Sequence, residues 1–263
     1  MDAEPVFEAV DGRFVASQLS RGPWDPNGQH GGAPAALIVR AFERLPGLDG
    51  LRLARVTYEF VRPAPVGSVE VRAEIIRPGK RVQLLEASML ADGVEVVRAR
   101  GLRVRRADAD GAGAGAGADG STPPAGPDEA RPLELANVPF RPMFATDAME
   151  IRFVTGTWGQ GPSAAWFRLR RPLVAGETPS GLQQLAAAGD FGNGISATLS
   201  WDEYLYINPD LTLYIEREPV GEWICLDSQT RISAGGIGLA ESVLYDQRGR
   251  VGRATQALLI APR

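Results

Sequence analysis

The chain has 263 residues, 44% of them hydrophobic and 23% charged, with a formal net charge of −4. That length suits one large domain or two small ones sharing a core, and that charge gives no general attraction for nucleic acid or anionic membranes. No run of about 20 apolar residues is present, so no helix read from the sequence spans a bilayer.

The first residues, "MDAEPVFEAVDGRF", are acidic and lack the basic-then-apolar order of a signal peptide, which makes the cytosol the expected location. Cys225 is the only cysteine and His30 the only histidine. The first excludes an internal disulfide framework. Together they are too few for a zinc site of His and Cys ligands, and no metal or cofactor is expected. Lys80 is the only lysine among the 28 basic residues. With abundant Ala, Gly and Pro, this reflects GC-rich coding more than any ligand.

Taken in chain order, "PNGQHGG" (26–32) reads as a turn before a helix, and "GGAPAALIVRAFERL" (31–45) as an Ala-rich helix. From residue 56 the sequence is β-prone. It breaks at Pro78-Gly79 and Asp92-Gly93, both turn signals. Arginines at 98, 100, 103, 105 and 106 alternate along the last strand. They read as a solvated face or, alternatively, as an anchor for phosphates. Residues 107–131, "ADADGAGAGAGADGSTPPAGPDEAR", cannot bury an apolar face and read as a flexible linker. The stretch "GAGADG" (115–120) fits G-x-G-x-x-G, but it follows no apolar strand and opens no plausible helix, so it is not read as a nucleotide site.

Beyond the linker the order repeats. "PSGLQQLAAAGDF" (179–191) reads as a second buried helix, stopped by Gly192, and β-rich sequence follows with breaks at 234–236 and 247–249. "VTYEFVRPAPVG" (56–67) resembles "LTLYIEREPVG" (211–221), and "ASMLADG" (87–93) resembles "ESVLYDQRG" (241–249). The register barely slips: 212 less 57 is 155, and 242 less 88 is 154. Unrelated strands would not stay in step for so long, so the unit is duplicated. A central helix followed by an antiparallel meander is an α+β arrangement in which the sheet wraps the helix. That is a hotdog unit, and two copies make a tandem (double) hotdog. The expected units are residues 1–106 and 132–263, joined by 107–131.

The stretches "WDPNGQHGGAPAALIVRA" (24–41), "LQQLAAAGD" (182–190), "INPDLTLYIEREPVGEW" (207–223) and "RATQALLI" (253–260) resemble the double-hotdog acyl-CoA thioesterases, the TesB-like family. The resemblance covers nearly the whole chain except the linker. It implies hydrolysis of fatty acyl-CoA by a water held between an Asp at the second helix end, a Gln on the last strand and a Thr or Ser on the strand before. Carried over, these are Asp190, Gln256 and, departing from the pattern, Asn208, with Thr212 four residues on as the alternative. The resemblance also puts His30 beside the thioester and implies a homo-oligomer.

The residues have their own chemical logic. Asp ordinarily titrates near ~3.9 and is a poor base, but burial against an apolar helix raises it. Backbone amides at a helix start receive a developing oxyanion, and Gly31-Gly32 let a substrate approach them. In the repeat, Gln256 falls opposite Gly101 and Asn208 opposite Leu53, so only the second copy keeps the polar set. The plain alternatives are a solvent-facing helix end for Asp190, an exposed strand residue for Gln256 and a structural His30. A serine hydrolase is disfavoured by the absence of G-x-S-x-G, and Gly79-Lys80 lacks the rest of a P-loop. Two rivals stay open. One is a hotdog enoyl-CoA hydratase or dehydratase using Asp25, Asn27 and His30. The other is a hotdog protein that binds acyl-CoA without turning it over.

Overall fold

The computed structural model describes residues 4–47, 49–106, 123–134, 138 and 140–263. The G-x-G-x-x-G stretch and most of the expected linker lie outside the described residues. The first half opens with a hairpin, β1 (Phe7–Val10) and β2 (Arg13–Ala16), followed by helix α1 (Gly32–Arg44). Four long strands follow: β3 (Leu51–Phe60), β4 (Ser68–Arg77), β5 (Val82–Ala91) and β6 (Val94–Arg105). A short strand β7 (Arg131–Pro132) and a π-helical turn (Phe144–Ala148) lead to β8 (Met149–Thr155) and β9 (Ser163–Leu169). Then come α2 (Gly181–Gly189), α3 (Gly192–Ser196) and five more strands. These are β10 (Tyr204–Ile207), β11 (Asp210–Ile215), β12 (Ile224–Ile232), β13 (Ile237–Asp246) and β14 (Gly249–Pro262).

The turn signals fall between strands as expected. Asp92 and Gly93, at φ 48° and 78°, form the tight link from β5 to β6 that two left-handed residues allow. Two features differ from the sequence reading. A hairpin precedes the helix in each half, β1–β2 before α1 and β8–β9 before α2; the first is built from four-residue strands, and "FEAV" carries no alternation strong enough to mark it. Gly192 does not stop the second helix: Asp190 and Phe191 keep near-helical backbone (φ −80° and −84°), and α3 begins at Gly192.

All the strands join one antiparallel sheet in the order β1-β2-β4-β5-β6-β3-β11-β14-β13-β12-β9-β8-β7, with β10 paired to β14. Read from the β3–β11 seam, the order runs the same way outward in both directions. At that seam Thr57 pairs with Thr212, the residues that the repeat makes equivalent. A residue facing its own counterpart across antiparallel strands marks a two-fold axis, so the duplication is built into the sheet as a pseudo-dyad.

The helices lie in the curve of this sheet and pack against each other. Residues 33–40 of α1 and 182–189 of α2 are all buried, which suits helices enclosed on every side. One apolar core runs through both halves. At about 1.5–3 kcal/mol for each buried large side chain, Leu37, Ile38, Phe42, Leu185 and Leu213 are major contributors. Polar ties reinforce the joint. Glu177 accepts from Arg40 at 2.6 Å, and Glu43 accepts from Ser180 and Gln183 at the start of α2.

Candidate active site

Ser180 starts α2 by accepting the Gln183 N–H through its side chain, a standard N-cap. Nine helical residues later the chain bends at Asp190 and turns its carboxylate toward the start of α1. Only 5% of Asp190 is exposed, so the reading of a helix end facing water fails. Oδ1 accepts the Asn208 amide at 2.8 Å and the Gln256 amide at 3.2 Å. Oδ2 lies 3.1 Å from Nδ1 of His30. Asp190, Gln256, Asn208 and His30 therefore converge, one from the end of α2, two from the strand region of the second half and one from the first half.

Gly31 and Gly32 make that approach possible. A Cβ on Gly31 would sit 2.7 Å from Asp190 Oδ2, and one on Gly32 would sit 2.4 Å from the Ala187 carbonyl. Both contacts are too short for any side chain, so the start of α1 meets the end of α2 only because these positions are glycine. The Gly32 amide, expected to be free for an oxyanion, instead faces His30 Nδ1 at 3.1 Å and the Asp190 carboxylate.

Burial raises the Asp190 carboxyl from 3.8 to about 7, and the hydrogen bonds from Asn208, Gly32 and Gln256 only partly offset it. Burial also holds His30 neutral, lowering its pKa from 6.5 to about 3. The pair thus shares at most one proton near neutrality. With Asp190 protonated, its hydroxyl donates to Nδ1. With Asp190 ionised, the Nδ1–H and the Gly32 N–H both point at the carboxylate. His30 also stacks on Phe191, with ring centroids 4.3 Å apart, which fixes the plane of its ring.

Between α3 and the strands that carry Gln256 lies a further set of polar groups not singled out in the sequence. Asn193 donates its backbone N–H to Gln256 Oε1 at 3.1 Å, and its side-chain amide reaches Asn208 Oδ1 at 3.4 Å. The buried hydroxyls of Ser228 and Ser242 lie 2.7 Å apart, and those of Ser196 and Thr230 lie 2.8 Å apart. The available signal was small polar residues at alternate, otherwise apolar positions of β12 and in α3.

Thr212 does not join this group. Asn208 and Pro209 interrupt the strand between β10 and β11, so the four-residue spacing does not carry Thr212 to the same place. Its hydroxyl bonds to Thr57 at 3.2 Å on the pseudo-dyad, while its neighbours Leu211 and Leu213 face the core. At the equivalent place in the first half, a Cβ on Gly101 would meet Leu85 and Phe42: that copy is filled by apolar packing. Asp25, the acid of the hydratase alternative, is exposed and accepts the Asn27 N–H of its own turn at 2.8 Å. Most of the arginine row is surface, with Arg98 and Arg100 paired to Glu95 and Glu86. Arg103 departs from it, being buried and donating to the Phe42 and Leu45 carbonyls at the end of α1.

A tandem hotdog with one buried, amide-held carboxylate at its seam is the class that fold and geometry define. The model of the acyl-CoA thioesterase N-terminal domain matches residues 20–104, and that of the C-terminal domain matches residues 120–260. The second alone spans more than half of the chain, so this protein belongs to the acyl-CoA thioesterase family and is a thioester hydrolase. Solved structures share the fold. A hot dog protein of unknown function from Alicyclobacillus acidocaldarius aligns with a TM-score of 0.75 at 17% identity, covering 96% of this chain and 95% of that one. The tesB protein of Mycobacterium avium subs paratuberculosis aligns at 0.63 and 17% identity, covering 97% and 96%. The acyl-CoA thioesterase II TesB2 of Mycobacterium marinum aligns at 0.62 and 14% identity, covering 98% and 96%. No curated protein sequence matches this chain. Among the described residues no helix is long and apolar enough to cross a membrane.

Proposed function

We propose that the protein hydrolyses the thioester of acyl-CoA at Asp190, with Asn208 and Gln256 as the amides that orient the carboxylate and the attacking water. The observation that carries this reading is the division of labour on the carboxylate. Two amide donors hold Oδ1, while Oδ2 faces the half-buried edge formed by His30 and Gly31. A carboxyl raised to about 7 by burial is a far better base near neutrality than one in water.

In the reaction, Asp190 takes a proton from the water as the water oxygen bonds to the acyl carbon. The carbon–sulfur bond then breaks, and the leaving thiolate regains a proton from Asp190. The carbonyl oxygen gains negative charge during attack, and the start of α1, the positive end of its helix dipole, lies beside the carboxylate where that charge develops. His30, neutral and stacked on Phe191, donates its Nδ1 proton to Oδ2 of the ionised carboxylate and so orients it for the water. The test is a free-thiol assay on acyl-CoA with Asp190→Asn. Turnover should fall by at least about a hundredfold, the usual scale for loss of a general base, and undiminished turnover would move the base elsewhere.

A further inference from the structure

The length of the acyl group depends on the space behind the carboxylate, and in this fold rings fill that space. Phe191, next to Asp190, lies 4.9 Å from Phe167, 6.0 Å from Phe144 and 6.3 Å edge-on from Trp158, measured between ring centroids. His30 stacks on Phe191 and tilts against Phe144 at 5.3 Å. Phe144, Phe167 and Phe191 are no more than 1% exposed, so they form a closed floor. On the outer side, a Cβ on Gly31 would sit 2.9 Å from Phe60 Cζ, and His30, Gly31 and Phe60 are only half-buried. Approach from solvent is therefore past Phe60 and His30, and an acyl chain that enters there meets the floor soon after its carbonyl reaches Asp190.

The rings are held from several directions. Phe60 ends β3, Phe144 belongs to the π-helical turn, Phe167 to β9, and Phe191 joins α2 to α3. Trp158 comes from the loop between β8 and β9 and packs on Gly194 of α3. In an interior packed at crystal density, none of the buried rings Phe144, Phe167 and Phe191 swings aside without displacing the others.

Building on the hydrolytic reading above, we infer that this aromatic floor confines the enzyme to short acyl groups, acetyl to butyryl, with Phe144 and Trp158 setting the limit. The experiment is thiol release from acetyl-, butyryl-, octanoyl- and palmitoyl-CoA by the wild type, Phe144→Ala and Trp158→Ala. The wild type should prefer butyryl- over palmitoyl-CoA by at least about tenfold in kcat/KM, the scale on which pocket fit discriminates chain length. Each variant that folds should lower the butyryl-to-octanoyl ratio by about tenfold, a change of preference that a general loss of structure does not produce. Equal or faster wild-type turnover of palmitoyl-CoA would overturn the inference and leave the hydrolytic reading standing. An unchanged ratio in both variants would remove these rings as the determinant. No thiol release from any of the four would sink the hydrolytic reading itself, and this inference with it.

Discussion

Replacing Asp190 by Asn tests the buried carboxylate through stability as well as through rate. In the unfolded chain this carboxyl ionises near 3.8, and in the fold near 7. Below the lower value both states hold the proton. As pH rises between the two, the unfolded chain gives it up and the fold keeps it. The wild type therefore loses stability, at 1.36 kcal/mol per pH unit, up to roughly 4 kcal/mol once the folded carboxyl ionises. Asparagine carries no such charge, and its amide can still donate toward His30 Nδ1 while its oxygen accepts from Asn208 and Gln256. His30 has the opposite pH dependence, because burial depresses its folded pKa, and that burial is common to both proteins. The gap between variant and wild type should thus shift in favour of the variant by about 3 kcal/mol between about pH 5 and about pH 8. Urea unfolding followed by the fluorescence of the five tryptophans measures this directly. Parallel stability curves for the two proteins across that range would refute the claim that residue 190 is a buried acid.

Other outcomes follow from the same geometry. The rate kcat/KM should climb with pH and level off above about 7, following ionisation of Asp190, and a profile flat from acid to neutral pH would exclude it as the base. Gln256→Ala removes a donor to Asp190 and strands the buried Asn193 N–H. It should cost about 1–3 kcal/mol in unfolding free energy along with a lower kcat. Asn208→Ala should reduce turnover, while Thr212→Val should leave it unchanged, because Thr212 bonds only across the pseudo-dyad; steady-state kinetics of the pair separates the two positions. Gly32→Ala forces a methyl against the Ala187 carbonyl and should lower stability by about 1–3 kcal/mol or more, read as a drop in Tm.

The strands, turns and duplication were legible in the sequence because each depends on neighbours along the chain. Alternation, Asp92-Gly93 and the repeat spacing of 154 or 155 residues all report local backbone preference. Asp190 stood out as a carboxylate closing an Ala-rich helix, and Gln256 through the resemblance to the TesB-like family and the Gly101 that stands opposite it in the other copy. The α2–α3 bend was missed because Gly192 carries a stop signal that packing of α3 on β12 overrides.

What tertiary structure alone decided is who meets whom across the seam. That Asn208 and not Thr212 bonds Asp190 rests on an interruption at Pro209 and on a pairing of Thr212 with Thr57 from the other half. His30 reaches Asp190, 160 positions away in the numbering, only because two glycines let α1 and α2 close to contact. Burial of Arg103 under the end of α1, and the rings beneath the carboxylate, arise in the same way. Such contacts are fixed by the volume left when two curved half-sheets close over their helices, and a linear sequence carries no direct measure of that volume.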